Sequence, residues 1–329
     1  MTKISDVAEK TGYSITTISR AINDHPYVSD KTKKKIFDAM KELDYYPNNV
    51  AQQLRGKGTK LIGVIISFVT NPFFTYLVDA IEKAAYQVGY QIVILQTLEE
   101  PEREKRFIEM LKKRQLDGLI MTSLDDDSPE VLKLIEAGKI VVCNRYLGEQ
   151  NIPLIHIDEK KATYEATYYL LSKGHRKIGY VTGNRGSMLG VDPRFKGYVQ
   201  ALKEFGIEPN SDCVFPRRLT ISDGKSTLTD VLALGEERPD ALLVISDEVA
   251  SGILSQCHLL NIEVPETLAI IGFDDQPIAE ALYPGLTTVK QPIKEMGEYV
   301  AALIIANIEH RKQPEMPELN TKLIIRGTA

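Results

Sequence analysis

Residues 6–23 read DVAEKTGYSITTISRAIN. Ile4–Lys10 has the makings of one short helix, and Thr11-Gly12-Tyr13 reads as a tight turn in which Gly12 is free to take positive φ. Ser14 is placed to cap a second helix, Ile15–Asn23, by accepting a backbone N–H. Val7, Ala8, Ile18 and Ala21 form the small apolar contact between the two helices. A third helix is expected after Ser29, carrying Ile36, Ala39 or Met40, and Leu43 at helical spacing. This is the three-helix form of the helix-turn-helix, whose second helix lies in the major groove of DNA. Ile15, Thr16, Thr17, Ser19 and Arg20 face outward near the start of that helix. An Arg there can bond guanine O6 and N7, and Ile15 can pack on a thymine methyl. Ser14, Thr17 and Ser19 suit phosphate, which fixes register without carrying sequence information. The plainer alternative for this segment is a structural helix pair.

Charge separates the same segment from the rest. Residues 1–58 hold ten Lys/Arg and seven Asp/Glu, a balance of +3, whereas the whole 329-residue chain is at -5, so the remainder carries -8. A basic head on an acidic body points to a polyanion partner for the head, although the lysine run at 33–35 also suits a solvated helix face. Directly after the head comes PNNVAQQLRGKG, residues 47–58, a helix candidate bounded by Pro47 and Gly58. So short a helix is unstable alone in water, because nucleation is costly. It must borrow stability from DNA or from a dimer partner, or else serve as a flexible linker. Leu54 near its end is suited to wedge into a minor-groove step.

Beyond residue 58 the periodicity changes. Short apolar runs such as Leu61–Ile66, Gly118–Thr122, Ile178–Thr182, Ala241–Ile245 and Leu268–Phe273 alternate with amphipathic stretches such as Phe74–Val88, Ala162–Leu171 and Glu248–Leu260. Continuous apolar strands between helices indicate parallel sheets covered on both faces. There are more strand candidates than one sheet needs, so two doubly wound subdomains sharing a crevice are expected. The expected fold is an all-α head plus an α/β core. The N-terminus MTKISDVAEK has no apolar secretory region, and the apolar runs are too short to span a bilayer, so a cytoplasmic protein with no membrane partner is expected. Cys143, Cys213 and Cys257 are far apart and show no CxxC pair, which argues against a disulfide framework, a structural zinc site or any other metal site. The run Gly183-Asn184-Arg185-Gly186 lacks both GxGxxG and the P-loop lysine, so no nucleotide cofactor is expected. No GxSxG and no Cys/His pair with catalytic spacing is present, so no catalytic residue is assigned.

The stretches DVAEKTGYSITTISRAIN (6–23), YVSDKT (27–32) and YPNNVAQQLRGK (46–57) together resemble the start of a lactose-repressor/galactose-repressor (LacI/GalR) family transcription factor. The resemblance runs on in order through IGVIISFVTNPFF (62–74), LLSKGHRKIGYVTG (170–183), DPRFKGY (192–198), RPDALLVISDEVASG (238–252), LAIIGFDD (268–275) and LTTVKQP (286–292). It implies a DNA-binding head (1–46), a hinge helix (47–58) and an effector-binding and dimerisation core (59–329) resembling periplasmic sugar-binding proteins. The N-subdomain would comprise 59–157 and 288–319, and the C-subdomain 158–287 and 320–329. It further implies a homodimeric regulator, of the repressor type, on near-palindromic operator DNA, with operator affinity controlled by a small effector bound between the two core subdomains. A sugar or sugar phosphate is the leading effector class, and a purine is an alternative. The chain stops at Ala329 without a heptad tail, which favours a dimer over a tetramer.

Carried over by resemblance, Ile15 and Thr16 read variable bases, while Ser14, Thr17, Ser19, Arg20 and Asn23 anchor to phosphate and shared bases. Tyr27 touches DNA beyond the recognition helix. Leu54 wedges into the operator centre beside the small Ala51, with Asn49 and Gln52 in the same hinge. In the effector site the resemblance places Asn71, Phe73, Asn144, Arg194, Leu219, Ser246, Asp247 and Asp274. Arg194 offers a fork of donors to a diol, carboxylate or phosphate, or else pairs with Asp192. Asp247 and Asp274 follow strands, where a carboxylate can accept from vicinal hydroxyls; Asp275 is open to a structural role in the following turn. Phe73 or Phe74 could face a sugar ring or bury in the core. His175 is expected to satisfy last-turn helix carbonyls. Ser246 stands where most members have Asn, Asn144 where many have Asp, and Leu219 near the place of an aromatic, so the donor pattern departs from the commonest family sugar site. A sugar-binding protein of a permease and an α/β enzyme such as a sugar kinase or dehydrogenase are the competing classes. The basic head and the missing phosphate fingerprints count against them.

Overall fold

The computed structural model describes residues 2–46, 58–124, 126–146, 151–183 and 189–329. The chain forms two compact units, Met1–Thr59 and Lys60–Ala329, each with its own core.

The first unit contains helices α1 (Ile4–Thr11), α2 (Ile15–Ile22) and α3 (Asp30–Glu42). Gly12 ends α1 at φ +74 and donates its N–H to Ala8 O, a left-handed conformation that costs glycine nothing. Ser14 caps α2 by accepting from the Thr17 N–H at 3.1 Å, and Ser29 caps α3 by accepting from Thr32 at 3.3 Å. Val7, Ile18, Ala21, Val28, Ile36, Ala39 and Met40 close into one buried cluster, with Ala8 and Leu43 half-buried against it. Two of the three lysines at 33–35 have structural partners and are not simply solvated. Lys33 pairs with Asp24, while Lys35 donates to Thr11 O at the end of α1 (3.1 Å) and lies over the Tyr13 ring.

The second unit alternates strands and helices. In chain order it runs β1 (Leu61–Ile66), α4 (Pro72–Gln87), β2 (Gln91–Gln96), α5 (Pro101–Lys112), β3 (Gly118–Leu124), α6 (Pro129–Glu136), β4 (Ile140–Tyr146) and β5 (Leu154–Ile155). Then follow α7 (Glu159–Ser172), β6 (Ile178–Val181), α8 (Pro193–Glu204), β7 (Val214–Phe215), α9 (Ile221–Ala233), β8 (Ala241–Val244) and α10 (Asp247–Leu259). The chain closes with β9 (Ala269–Asp274), α11 (Pro277–Ala281), β10 (Thr287–Lys290), α12 (Ile293–Ile308) and β11 (Lys322–Ile324). One sheet has the order β2-β1-β3-β4-β5, the other β11-β10-β9-β8-β6-β7. Every pairing is parallel except β10 with the edge strand β11, which makes the second sheet mixed.

One detail differs from the sequence reading. The change of subdomain was expected before residue 288, but β10 pairs with β9 as far as Lys290 opposite Asp274. The chain therefore leaves the second sheet at about 291, and α12 packs on α4, β3 and β4 of the first. The carbonyls at the end of α7 are met by His175, as expected, through its backbone N–H to Leu170 O (3.2 Å), and by Arg176, whose Nη1 donates to Leu171 O (2.9 Å) and also to His175 O (2.8 Å). The His175 ring faces Asp240, with 3.3 Å between Nδ1 and Oδ1.

Helices α7 and α8 pack backbone to backbone. Gly197 on α8 permits this: a Cβ there would sit 2.1 Å from Lys160 O and 2.3 Å from Thr163 Oγ1. Thr163 Oγ1 in turn donates to Arg194 O at 2.8 Å, locking the two helix starts together. Gly197→Ala is expected to destabilise the protein by ~1–3 kcal/mol, the range for forcing extra atoms into a filled core. Urea unfolding of the two proteins side by side measures it, and an unchanged midpoint would show that the helices separate freely.

Candidate functional site

Two places gather the expected functional side chains. On the head, Ile15, Thr16 and Arg20 project from α2 into solvent, with Ile15 47% exposed, while Ile18 and Ala21 on the opposite face are buried. Thr17 and Ser19 are half-buried on the flank. Ser14 already uses its hydroxyl on the Thr17 backbone and hydroxyl. The Asn23 side-chain amide donates to Ser19 O at 2.6 Å. Tyr27 stands 86% exposed with its ring against His25, a flat polar-tipped surface beside the recognition helix. Asn49, Ala51, Gln52 and Leu54 lie outside the described residues.

In the second unit, the carboxyl ends of strands from both sheets face one cavity of about 570 Å³. The starts of α4, α5, α7, α8 and α10 line it too, because in a βαβ unit each helix begins where its strand ends. Seven of the eight side chains expected in an effector site are on this wall: Asn71, Phe73, Asn144, Arg194, Leu219, Ser246 and Asp274. Asn71 caps α4 by accepting from the Phe73 N–H at 3.0 Å. Phe73 and Phe74 meet edge to face, and both are buried while still bordering the cavity. Asn144 takes φ +70 and donates to Thr122 O at 3.3 Å, which turns the end of β4 toward the cavity. Leu219, 43% exposed, sits at the rim.

Arg194 is the most constrained group. Its Nε and Nη2 donate to the same oxygen of Glu159, Oε1, at 2.8 and 2.7 Å. Its guanidinium lies 4.3 Å from the centre of the Phe273 ring. Asp192, the expected alternative partner, takes the backbone N–H of Arg194 instead and caps α8. Burial alone would lower the basicity of Arg194, but Glu159 and Asp274 hold it above the usual range. Asp274 accepts from Gln276 (3.0 Å) and Gln291 (2.6 Å), and its φ of +109 bends β9 into the cavity.

The sequence matches the family described as bacterial regulatory proteins, lacI family, over residues 3–48. Residues 59–325 match the periplasmic binding proteins and sugar binding domain of the LacI family. The chain belongs to the LacI family. The NTD biosynthesis operon regulator NtdR of Bacillus subtilis (strain 168) is 32% identical over 99% of both chains. A lac repressor dimer bound to operator and the anti-inducer ONPF superposes with a TM-score of 0.83, at 27% identity over 99% of this chain and 98% of that one. A LacI family regulator from Lactobacillus casei with bound sucrose superposes with a TM-score of 0.75, at 32% identity over 82% of this chain and 99% of that one.

Against that LacI-family frame one expected effector residue is out of place. Asp247 does not line the cavity. It is fully buried behind the wall, where Oδ1 accepts from Thr288 (2.6 Å) and Oδ2 from the Gln276 N–H (2.8 Å). As the first residue of α10 it ties that helix to β10 and to the loop after β9, so its lone pairs are spent on the fold. Asp275 is likewise structural: Arg326 donates to it at 2.7 Å and Lys290 stands 3.6 Å away. Conversely, Glu159 and Arg218 line the cavity and were not singled out from the sequence. Glu159 opens α7 just after β5, so the rule that ligands bind at strand carboxyl ends could have pointed to it.

Burial, then the nearby Asp274, pushes the Asp247 carboxyl up to about 8. Burial raises Asp274 to about 6, against the pull of Arg194 and the two glutamines. Both folded values exceed the ordinary 3.8, so their stabilising contributions are full below about 3.8 and are lost as pH rises through 6 for Asp274 and 8 for Asp247. The melting temperature of the wild type is therefore expected to fall more steeply between pH 5 and about 8.5 than that of Asp247→Asn. Parallel curves in differential scanning fluorimetry would remove Asp247 as the source.

Proposed function

We propose that this LacI-family transcriptional regulator is a repressor that binds near-palindromic operator DNA as a homodimer and is controlled by a carbohydrate in the core cavity. The supporting observation is the convergence of seven expected ligand side chains, from both sheets, on that one cavity. Vicinal hydroxyls suit its wall, which alternates the donors of Asn144 and Arg194 with carboxylates and offers the buried faces of Phe73 and Phe74. In relatives, one structure carries sucrose and another cellobiose, which supports the same ligand class.

In this reading α2 enters the major groove, with Ile15, Thr16 and Arg20 on base edges and Ser14, Thr17, Ser19, Asn23 and Tyr27 setting register on the backbone. Residues 47–58 act as the hinge, with Leu54 as minor-groove wedge beside Ala51 and with Asn49 and Gln52 at its side. Ligand closes the two subdomains about their crossings and changes the spacing of the paired hinges. The protein works in the cytoplasm as a regulator and carries out no catalysis.

Arg20→Ala is expected to lose roughly 5- to 150-fold in specific operator affinity, the equivalent of ~1–3 kcal/mol for one base-reading contact, with a smaller change on random DNA. Fluorescence anisotropy on both DNAs measures the ratio, and equal losses would assign Arg20 to the backbone. Coupling is reciprocal, so a sugar that shifts operator affinity must itself bind with an affinity changed by the same factor when operator is present. A sugar bound equally with and without operator would overturn control through the cavity.

A further inference from the structure

The core begins at a lysine in an unfavourable conformation. Lys60, the residue before β1, has φ +58, a left-handed backbone that an L side chain adopts only at a cost. Such a conformation persists where the surrounding contacts over-determine it. The Lys60 N–H donates to Asp117 Oδ2 at 2.8 Å, and its carbonyl accepts from the Gln91 N–H at 2.9 Å. Its ammonium lies 4.0 Å from the centre of the Tyr90 ring, which is buried, and donates to Glu309 Oε1 at 2.9 Å. The Tyr90 hydroxyl donates to the same oxygen at 3.2 Å, and Arg311 holds the other oxygen at 2.7 Å.

An exposed Lys–Glu pair by itself is worth little, because water screens it. This one is braced on each side. The loop before β2 supplies Tyr90, the segment before β3 supplies Asp117, and the end of α12 supplies Glu309. Glu309 directly follows α12, and its N–H closes the last turn on Ile305 O at 2.9 Å. That helix is seated on α4 without slack: a Cβ at Gly297 would lie 2.6 Å from Ala80 Cβ and 3.1 Å from Leu77 O. Its other end starts two residues after Gln291, whose amide donates to Asp274 on the cavity wall. A helix of 16 residues, about 24 Å at 1.5 Å per residue, thus runs from the crossover beside the ligand wall to the residue that clamps Lys60. Lys60 in turn stands two residues after the hinge segment 47–58, so it is the root from which that segment departs.

Resting on the operator and hinge reading above, we infer that Lys60 and Glu309, with Tyr90 between them, are positioning residues for operator binding. Their clamp fixes the hinge root to the end of α12. A shift of the first subdomain on ligand closure is then handed to residues 47–58 and not absorbed at the junction.

The test uses the full chain and a duplex that the wild type selects from a random-sequence pool, compared with an unselected duplex of equal length. Fluorescence anisotropy on both gives a discrimination ratio. Glu309→Gln and Lys60→Met are each expected to lower this ratio by about five-fold, and the double variant by no more than either single, as for neighbours that act as one unit. Lys60→Arg should keep the ratio, since a guanidinium also pairs with a carboxylate and stacks on a ring. The two single substitutions change charge in opposite senses. Charge alone would therefore weaken both duplexes for Lys60→Met, strengthen both for Glu309→Gln and leave the ratio unchanged, and that pattern would overturn the clamp. Losses that add in the double variant would overturn it too. Urea midpoints of both singles are expected to match the wild type; ratios that fall only where the midpoint falls would make the pair structural and overturn its positioning role. A wild type that selects no duplex would instead overturn the operator reading itself.

Discussion

A parallel sheet brings every strand's carboxyl end, and the start of every helix that follows, to one edge. This chain builds two such sheets and turns both of those edges onto one cavity. The specificity of the protein depends on that constraint. Residues separated by more than 200 positions, such as Asn71 and Asp274, meet because each sits where a strand stops. Ser246 follows β8, and Asn144 sits near the end of β4 where the pairing with β3 shifts register, so both stand at this edge and outside the regular apolar ladder.

The same edge concentrates polar groups that must be satisfied away from water. The chain meets much of this demand itself: Asn71, Asp158 and Asp192 cap helices, Gln276 and Gln291 hold Asp274, and Glu159 holds Arg194. The last pair requires α7 and α8 to start side by side, which requires the bare backbone of Gly197. A buried guanidinium without its carboxylate would be strongly destabilising, so packing of the helix pair and electrostatics of the ligand wall are one design. Gln291 adds a mechanical link. It follows β10 where the chain returns to the first subdomain, and it donates to a carboxylate that faces the cavity.

The head obeys different rules. Its seven buried apolar residues and its serine and glycine caps make a self-contained unit. With the inner face of α2 fully used by Ile18 and Ala21, the outer face is left to interact with a partner. Lys33 pairs with Asp24, which the +3 balance of this segment already counts, and Lys35 keeps its charge while donating to the end of α1.

Much of this was legible in the linear chain. Element type and order follow from local signals: apolar runs for buried strands, helical spacing for the covering helices, Ser14 and Gly12 as helix punctuation. Ordered family motifs then placed most of the cavity wall, because strand-end positions survive as short sequence signatures. Side-chain partnerships were not legible. Asp247 and Asp274 look alike in sequence, each closely following a strand, yet Asp247 turns behind the wall to Thr288 and Asp274 faces the cavity. Glu159 gains its role from Arg194, 35 residues away, and Asp275 from Arg326, 51 residues away. Such pairings depend on which helices touch and which carboxylates lose water, and no periodicity encodes either. The sequence alone determined the scaffold and the positions at its ligand edge. Only the tertiary structure decided which side chains there pair with one another, because those pairings depend on helix contacts and on which groups lose water.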